Sequence, residues 1–317
     1  MRRIALASLV LAGLSLTLPA YASPDVPDPQ RPTFRSGVGR VVIRAVARTR
    51  QGRPVTDLTV KDFELLDSGR PRPILDFRAD PSPVRLALLA DFSGSMDVAD
   101  KKAMALEAIW HLLNWLTAGK DEVSLYAFDR QLRELQAPTP APGQVLEQLA
   151  TMKPFGETSL FDAIAETGKL VASAGEGRRA VVALTDGADN ASRMTPAEVS
   201  ALASSIDVPV YIVLVTSPLD RAGRTTVNAD RTKAMLEGPI GSLARFTGGD
   251  SFVASSPAQA SHAARQIVTE LRHQYLIAFE PDSRPGWHSI ELRTTEDDVV
   301  VRTRSGYVVH GQSPSIP

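Results

Sequence analysis

The hexapeptide Asp91-Phe92-Ser93-Gly94-Ser95-Met96 carries three small oxygen-bearing side chains at alternate positions, and its glycine permits a tight turn. That spacing lets Asp91, Ser93 and Ser95 converge on one point. Donors that are all oxygen suit a hard cation, and Mg2+ takes octahedral geometry at ~2.1 Å while keeping some of its waters. Asp91 would supply charge, and the two serines neutral donors. The pattern also has a plainer reading, because Ser and Asp cap helices, and Ser95 or Asp97 could cap the one that follows. Two further segments extend the set. Gly156-Glu157-Thr158-Ser159-Leu160 stands where a helix begins, and Leu184-Thr185-Asp186-Gly187 ends an apolar run, the place for a second carboxylate.

The elements that must position these groups alternate in type. Val84–Ala90 is almost continuously apolar, as in a strand covered on both faces. Helical patterns at Ala99–Thr117, Gln144–Met152, Leu160–Ala172, Pro196–Ser205, Ile240–Phe246 and Pro257–Arg272 alternate with strands at Glu122–Phe128, Ala180–Leu184, Val208–Val215 and Ser251–Ala254. This order predicts a doubly wound, mostly parallel α/β sheet, whose ligands bind at the carboxyl ends of the strands, where Asp91 stands. The ends of the chain differ. Short strand patterns run from Gly39 to Phe77, with Asp62–Leu66 and Pro73–Phe77 flanking a turn at Asp67-Ser68-Gly69. More strands follow at Gln274–Phe279, His288–Arg293, Val299–Arg304 and Tyr307–Val309. With no helices between them, these strands cannot extend a parallel sheet. The two ends are therefore expected to pair as a small all-β sandwich (37–80 with 273–311), with the α/β domain (81–272) inserted between. Ser217–Gly238 reads as an exposed polar loop, in which Arg221, Arg224 and Arg231 form a solvated or ligand-facing patch. Trp110, Leu113 and Leu116 are expected to face inward, and Trp115 and Trp287 to pack in a core or between domains. Phe92 and Met96 read either as exposed contacts for a partner or, for Phe92, as packing beneath the loop. Asp189 and Asn190 read as turn residues or as outer support for the site, and Glu157 as a helix-start acid.

Taken together, Asp91-x-Ser93-x-Ser95, Thr158 and Asp186 resemble the von Willebrand factor type A (VWFA) domain and its metal-ion-dependent adhesion site, with all five positions filled in the family's order. The resemblance implies a Rossmann-like fold, with Ser93, Ser95 and Thr158 ligating a divalent cation and Asp91 and Asp186 acting mostly through water. It implies Mg2+, with Mn2+ or Ca2+ as alternatives, and a position left for an Asp or Glu of a protein partner. Gly52-Arg53-Pro54-Val55, Leu58-Thr59, Asp62-Phe63-Glu64 and Asp67-Ser68-Gly69 are similar to the segment before the A domain in a group of exported bacterial VWFA-related proteins. So are Gln274-Tyr275-Leu276, Phe279-Glu280-Pro281 and Arg304-Ser305-Gly306-Tyr307 to that group's last strands. The function implied is cation-dependent protein–protein recognition or adhesion. The alternative is a structural or scaffold subunit of an envelope complex whose binding needs no metal.

Composition narrows the rest. Net charge is −1, falling to −3 without the first 22 residues, so the basic stripe of a nucleic-acid binder is missing. Cysteine is absent, which excludes disulfides, thiolate metal sites and cysteine nucleophiles. A hydrolase has little support. There is no G-x-S-x-G elbow or P-loop. His111 and His262 fall in helices, His288 and His310 in or near the terminal strands, and His273 at the domain boundary. Met1-Arg2-Arg3, an apolar run from Ile4 to Leu18 and Ala20-Tyr21-Ala22 match a secretory signal peptide cleaved after Ala22. A membrane anchor is the other reading, but ~20 apolar residues are needed to span a bilayer. Residues 23–36 then read as a disordered, proline-rich lead-in. The expected product is secreted or periplasmic, without a stable membrane anchor and of undetermined oligomeric state.

Overall fold

Alternate residues of β5 (Val84–Asp91) serve two different cores. Val84, Leu86, Leu88 and Ala90 join one apolar cluster, and Ala87 and Leu89 another. A strand with period two does this when helices cover both faces of its sheet. The computed structural model describes residues 39–79, 81–141, 146–174, 177–216 and 232–309. The leader, the lead-in, His310 and residues 217–231, with Arg221, Arg224 and Arg231, lie outside these residues.

β6 (Glu122–Phe128), β8 (Arg178–Thr185), β9 (Val210–Val215) and β10 (Ser251–Ala254) run parallel to β5, and β7 (Leu132–Thr139) closes one edge antiparallel. The order is β10-β9-β8-β5-β6-β7. From β5 the chain steps outward to β6 and β7, then returns to the other side for β8. The crevice above β5 and β8 is therefore the topological switch point, where ligands of doubly wound sheets bind. Helices α1 (Lys101–Trp115) and α6 (Pro257–Arg272), with Leu149 of α2 (Leu146–Ala150), cover one face. Helices α3 (Leu160–Ser173), α4 (Pro196–Ser205) and α5 (Pro239–Phe246) cover the other. The doubly wound α/β expectation holds.

Some local expectations change. β7 was not anticipated, since its residues are half-buried or exposed and contain Pro138, as suits an edge strand. Residues 232–237 at the end of the insertion are helical rather than loop, and Met235 and Leu236 pack on the second cluster. Leu113 and Leu116 are buried as expected, but Trp110 is 48% exposed. The buried face of α1 is Ala105, Ala108, Ile109, Leu112 and Leu113, and Trp110 sits ~100° around from Ile109. Trp115 and Trp287 are also partly exposed, and Trp287 stacks on Phe246 of α5 at 5.5 Å.

Both ends of the chain contribute to two antiparallel sheets. β1 (Val41–Thr49), β4 (Asp76–Arg78), β11 (Tyr275–Phe279) and β13 (Val299–Thr303) form one, in the order β13-β1-β11-β4. β2 (Phe63–Asp67), β3 (Arg70–Arg72), β12 (Gly286–Thr294) and β14 (Gly306–Val309) form the other, in the order β14-β12-β2-β3. They share one apolar cluster that includes Ile43, Leu65, Tyr275, Phe279, Leu292 and Tyr307. The Asp67-Ser68-Gly69 hairpin is present, but its return strand is Arg70–Arg72. Pro73 cannot donate to a ladder, so the chain leaves the hairpin there and Asp76–Arg78 crosses to β11. Asp67, fully buried, accepts from the Tyr307 hydroxyl (3.0 Å) and the Asp282 amide (3.2 Å) and pairs with Arg72 and His288. Segments from opposite ends of the sequence thus meet at one carboxylate.

A second cluster joins the sheet that holds β1 and β13 to the doubly wound domain. Arg302 of β13 donates to Asp250 (2.8 Å) and Glu270 of α6 (2.5 Å), Arg48 of β1 donates to Asp250 (2.6 Å), and Tyr211 of β9 donates to Glu270 (3.1 Å). Burial pushes the Asp250 carboxyl up, yet Arg302, Arg48 and the Ser251 amide together hold it below its ordinary value. Removing one partner of such a cluster strands a buried charge. Arg302→Met is expected to lower unfolding free energy by about 3 kcal/mol, read as a lower urea midpoint. Because Asp250 is ionised more readily in the folded state, its contribution is full above about pH 4 and fades below. The stability gap between wild type and Asp250→Asn should shrink accordingly in acid.

Candidate metal centre

Asp91 ends β5, and Thr185 ends β8. Parallel register pairs Ala90 with Leu184, which sets the next two residues side by side. The Thr185 hydroxyl donates to Asp91 Oδ2 at 2.6 Å, and the Ser93 amide donates to Oδ1 at 2.9 Å. The Asp91 residue is only 2% exposed. Burial pushes its carboxyl up to about 6, against the lowering effect of the Ser93 and Thr185 hydrogen bonds, and the neighbouring Asp186 charge adds to the rise.

Past Asp91 the chain makes a short 3-10 turn over Gly94–Asp97. Ser93 and Ser95 bring their hydroxyl oxygens to 3.1 Å from each other. Ser95 makes no side-chain capping bond to α1, whose N-cap is Asp100. The Gly94 amide donates to the Gly156 carbonyl (2.9 Å), and a Cβ on Gly94 would stand 3.3 Å from that oxygen. The Phe155 amide donates to the Phe92 carbonyl at 2.8 Å. These two bonds fasten the Thr158 loop to the serine loop. Gly156, at φ +86°, takes the left-handed conformation that an L side chain resists. Thr158 is buried; its amide donates to Asn190 Oδ1 (2.8 Å), and its carbonyl accepts from the Asn190 and Ala191 amides. Asp189 accepts from the Leu160 amide and the Ser192 hydroxyl at the start of α3. Asn190 therefore positions the Thr158 loop, while Asp189 supports the helix start behind it.

Asp186 follows Thr185, the last residue of β8. Its Oδ1 accepts from the Ala188 amide (3.2 Å), and its Oδ2 from the ammonium of Lys101 (2.8 Å). Lys101, Thr185 and Phe155 were missed in the sequence. Lys101 did leave a signal, because α1 opens with two lysines where the helix dipole favours acids. Phe92 and Met96 are buried, at 3% and 1% exposure, so neither is a surface contact; Phe155, at 81%, and Val98 are exposed apolar residues here. Glu157 lies 3.4 Å from the exposed Arg130.

The donor set can be tested against a divalent cation. Two ligands on adjacent corners of an octahedron of ~2.1 Å radius stand ~3.0 Å apart, close to the serine separation. Both Asp91 oxygens already accept hydrogen bonds, which suits a carboxylate that acts by charge and through water. Among the described residues, no three His, Cys, Asp or Glu side chains gather closely enough to hold a metal ion. A cation here therefore depends on hydroxyls, and the residues present fit one.

Fold and crevice together define a doubly wound α/β domain with oxygen donors at its switch point. Residues 86–188 match the family model of the von Willebrand factor type A domain, and this central segment of the chain is such a domain. No curated protein matches the chain. Among solved structures, an aerotolerance-related membrane protein from Bacteroides fragilis is 20% identical over 59% of this chain and 98% of its own, with TM-score 0.44. The protein BatB from Bacteroides thetaiotaomicron is 19% identical over 59% and 98%, with TM-score 0.45. A manganese-loaded TRAP protein from Plasmodium vivax is 16% identical over 80% and 100%, with TM-score 0.44.

Thr185→Val removes the hydroxyl that satisfies the buried Asp91. It should cost about 1–3 kcal/mol in denaturant unfolding, whereas Thr185→Ser retains most of the stability.

Proposed function

We propose that this chain is an exported recognition protein whose VWFA domain binds one divalent cation and, through it, an acidic group of a protein partner. The observation that carries this reading is the pair of hydroxyls of Ser93 and Ser95, 3.1 Å apart beside a buried carboxylate. In this reading Ser93, Ser95 and Thr158 hold the ion directly, while Asp91 and Asp186 balance its charge through water. The ion is Mg2+, with Mn2+ or Ca2+ as substitutes. Acting through water, the two carboxylates neutralise the ion only in part, so it stays attractive to an incoming Asp or Glu. Phe155, exposed on the loop fastened to Phe92, offers an apolar contact beside that group. The two antiparallel sheets (37–80 with 273–311) are read as a sandwich domain that carries the inserted domain (81–272). Removal of residues 1–22 by a signal peptidase would place the product in the periplasm or outside the cell.

The reading assigns no catalytic residue. Among the described residues no histidine hydrogen-bonds either serine; His288 pairs with Asp67, His111 with Glu107, and His273 with the Thr269 carbonyl. One observation favours the rival, a scaffold that needs no metal: Asp186 already has a cation partner in Lys101.

Calorimetric titration of chelator-stripped protein with Mg2+ and Mn2+ separates the two. Saturable one-site binding is expected, lost in Ser93→Ala and Asp186→Ala and unchanged in Phe155→Ala. Heats without saturation in folded wild-type protein would contradict the cation reading and leave the scaffold.

A further inference from the structure

The first residue of α1 is delivered to the site by an unusual backbone. Ala99 and Asp100 both take left-handed conformations, at φ 56° and 60°, and neither is glycine. L residues resist this region, and two in succession persist only where surrounding contacts enforce them. The helix that follows has no side-chain cap and no acid in its first turn. Lys101 instead places a positive charge at the positive end of the helix dipole, an arrangement the helix itself does not favour. What the strained turn and the misplaced charge obtain in return is one contact, the ammonium of Lys101 on Asp186 Oδ2 at 2.8 Å, with side chains 13% and 8% exposed. Lys102, next in sequence, goes elsewhere: its ammonium donates to the carbonyls of Ala150 and Met152 and lies 5.8 Å from the centre of the Phe92 ring.

We propose that Lys101 is the tethered counter-ion of the cation site: it holds Asp186 when no divalent ion is bound and leaves when one arrives, so that uptake is an exchange whose affinity Lys101 sets. The inference rests on the cation reading above. The Asp186 charge helps to raise the Asp91 carboxyl, and an ammonium on Asp186 relieves that repulsion. A divalent ion among the same oxygens relieves it more strongly and repels the ammonium, because like charges cannot share a half-buried site without cost. The exchange raises the concentration at which the ion binds. It also keeps the crevice assembled without the ion, since Asp186 always has a partner.

Two readouts test this on the mature protein. The first is calorimetric Mn2+ affinity in wild type, Lys101→Gln and Lys101→Met. Both variants should bind about tenfold more tightly than wild type, on the scale of one partly screened charge contact. The second needs no variant: timed acylation of lysines with an amine-reactive ester, mapped by mass spectrometry. Lys101 should be protected in chelator and become reactive with saturating Mn2+, while exposed Lys153 reacts in both. Equal or weaker affinity in both variants, with Lys101 protected throughout, would overturn the exchange but leave the cation site standing. Absence of Mn2+ binding in wild type and both variants would remove the cation reading and this inference together.

Discussion

A carboxylate almost wholly removed from water stands at the end of the central strand, and much around it serves to make that tolerable. An ionised group so placed needs hydrogen-bond partners of fixed geometry. Asp91 takes one from the strand beside it, through Thr185, and one from its own turn, through the Ser93 amide. The Thr185 partner depends on the register between β5 and β8, so the packing of two helical layers against the sheet ends in the orientation of one side chain. The serine turn, the Thr158 loop and the Asp186 loop are then fastened to one another by backbone bonds. The Ser93 and Ser95 hydroxyls are brought together by the fold.

Side-chain contacts tie the terminal strands to the doubly wound domain. Strands from both chain ends form the two antiparallel sheets, and the Arg302–Glu270–Asp250–Arg48 cluster ties the one that holds β1 and β13 to α6 and, through Tyr211, to β9. Arg304 adds another tie: it donates to the Ser204 carbonyl at the end of α4 and the Val42 carbonyl of β1, and burial lowers its guanidinium to about 10. Buried ionic contacts of this kind give little net stability but tolerate few alternative arrangements. The β sheets thus fix α6 and α4 on opposite faces of the doubly wound sheet.

Much of this was legible in the sequence because it depends on local pattern. The apolar run at Val84–Ala90, the alternation of strands and helices, and the spacing Asp91-x-Ser93-x-Ser95 each follow from residues close together in the chain. Edge strand β7 escaped notice because half-exposed strands carry little periodic signal. Thr185 escaped because its partner lies 94 residues away and is chosen by parallel register. Lys101 was visible only as a charge on the wrong end of a helix, and its role follows from a backbone turn that no residue type announces. Trp110 misled because size suggested burial, whereas helical phase decides it.

In the proposed site Ser93, Ser95 and Thr158 converge on one cation beside Asp91. Crystals grown with Mn2+ and measured at an energy above its absorption edge test it most directly. One strong anomalous peak is expected within coordination distance of the two serine hydroxyls. A well-ordered crevice with no peak there, in crystals saturated with the ion, would contradict it.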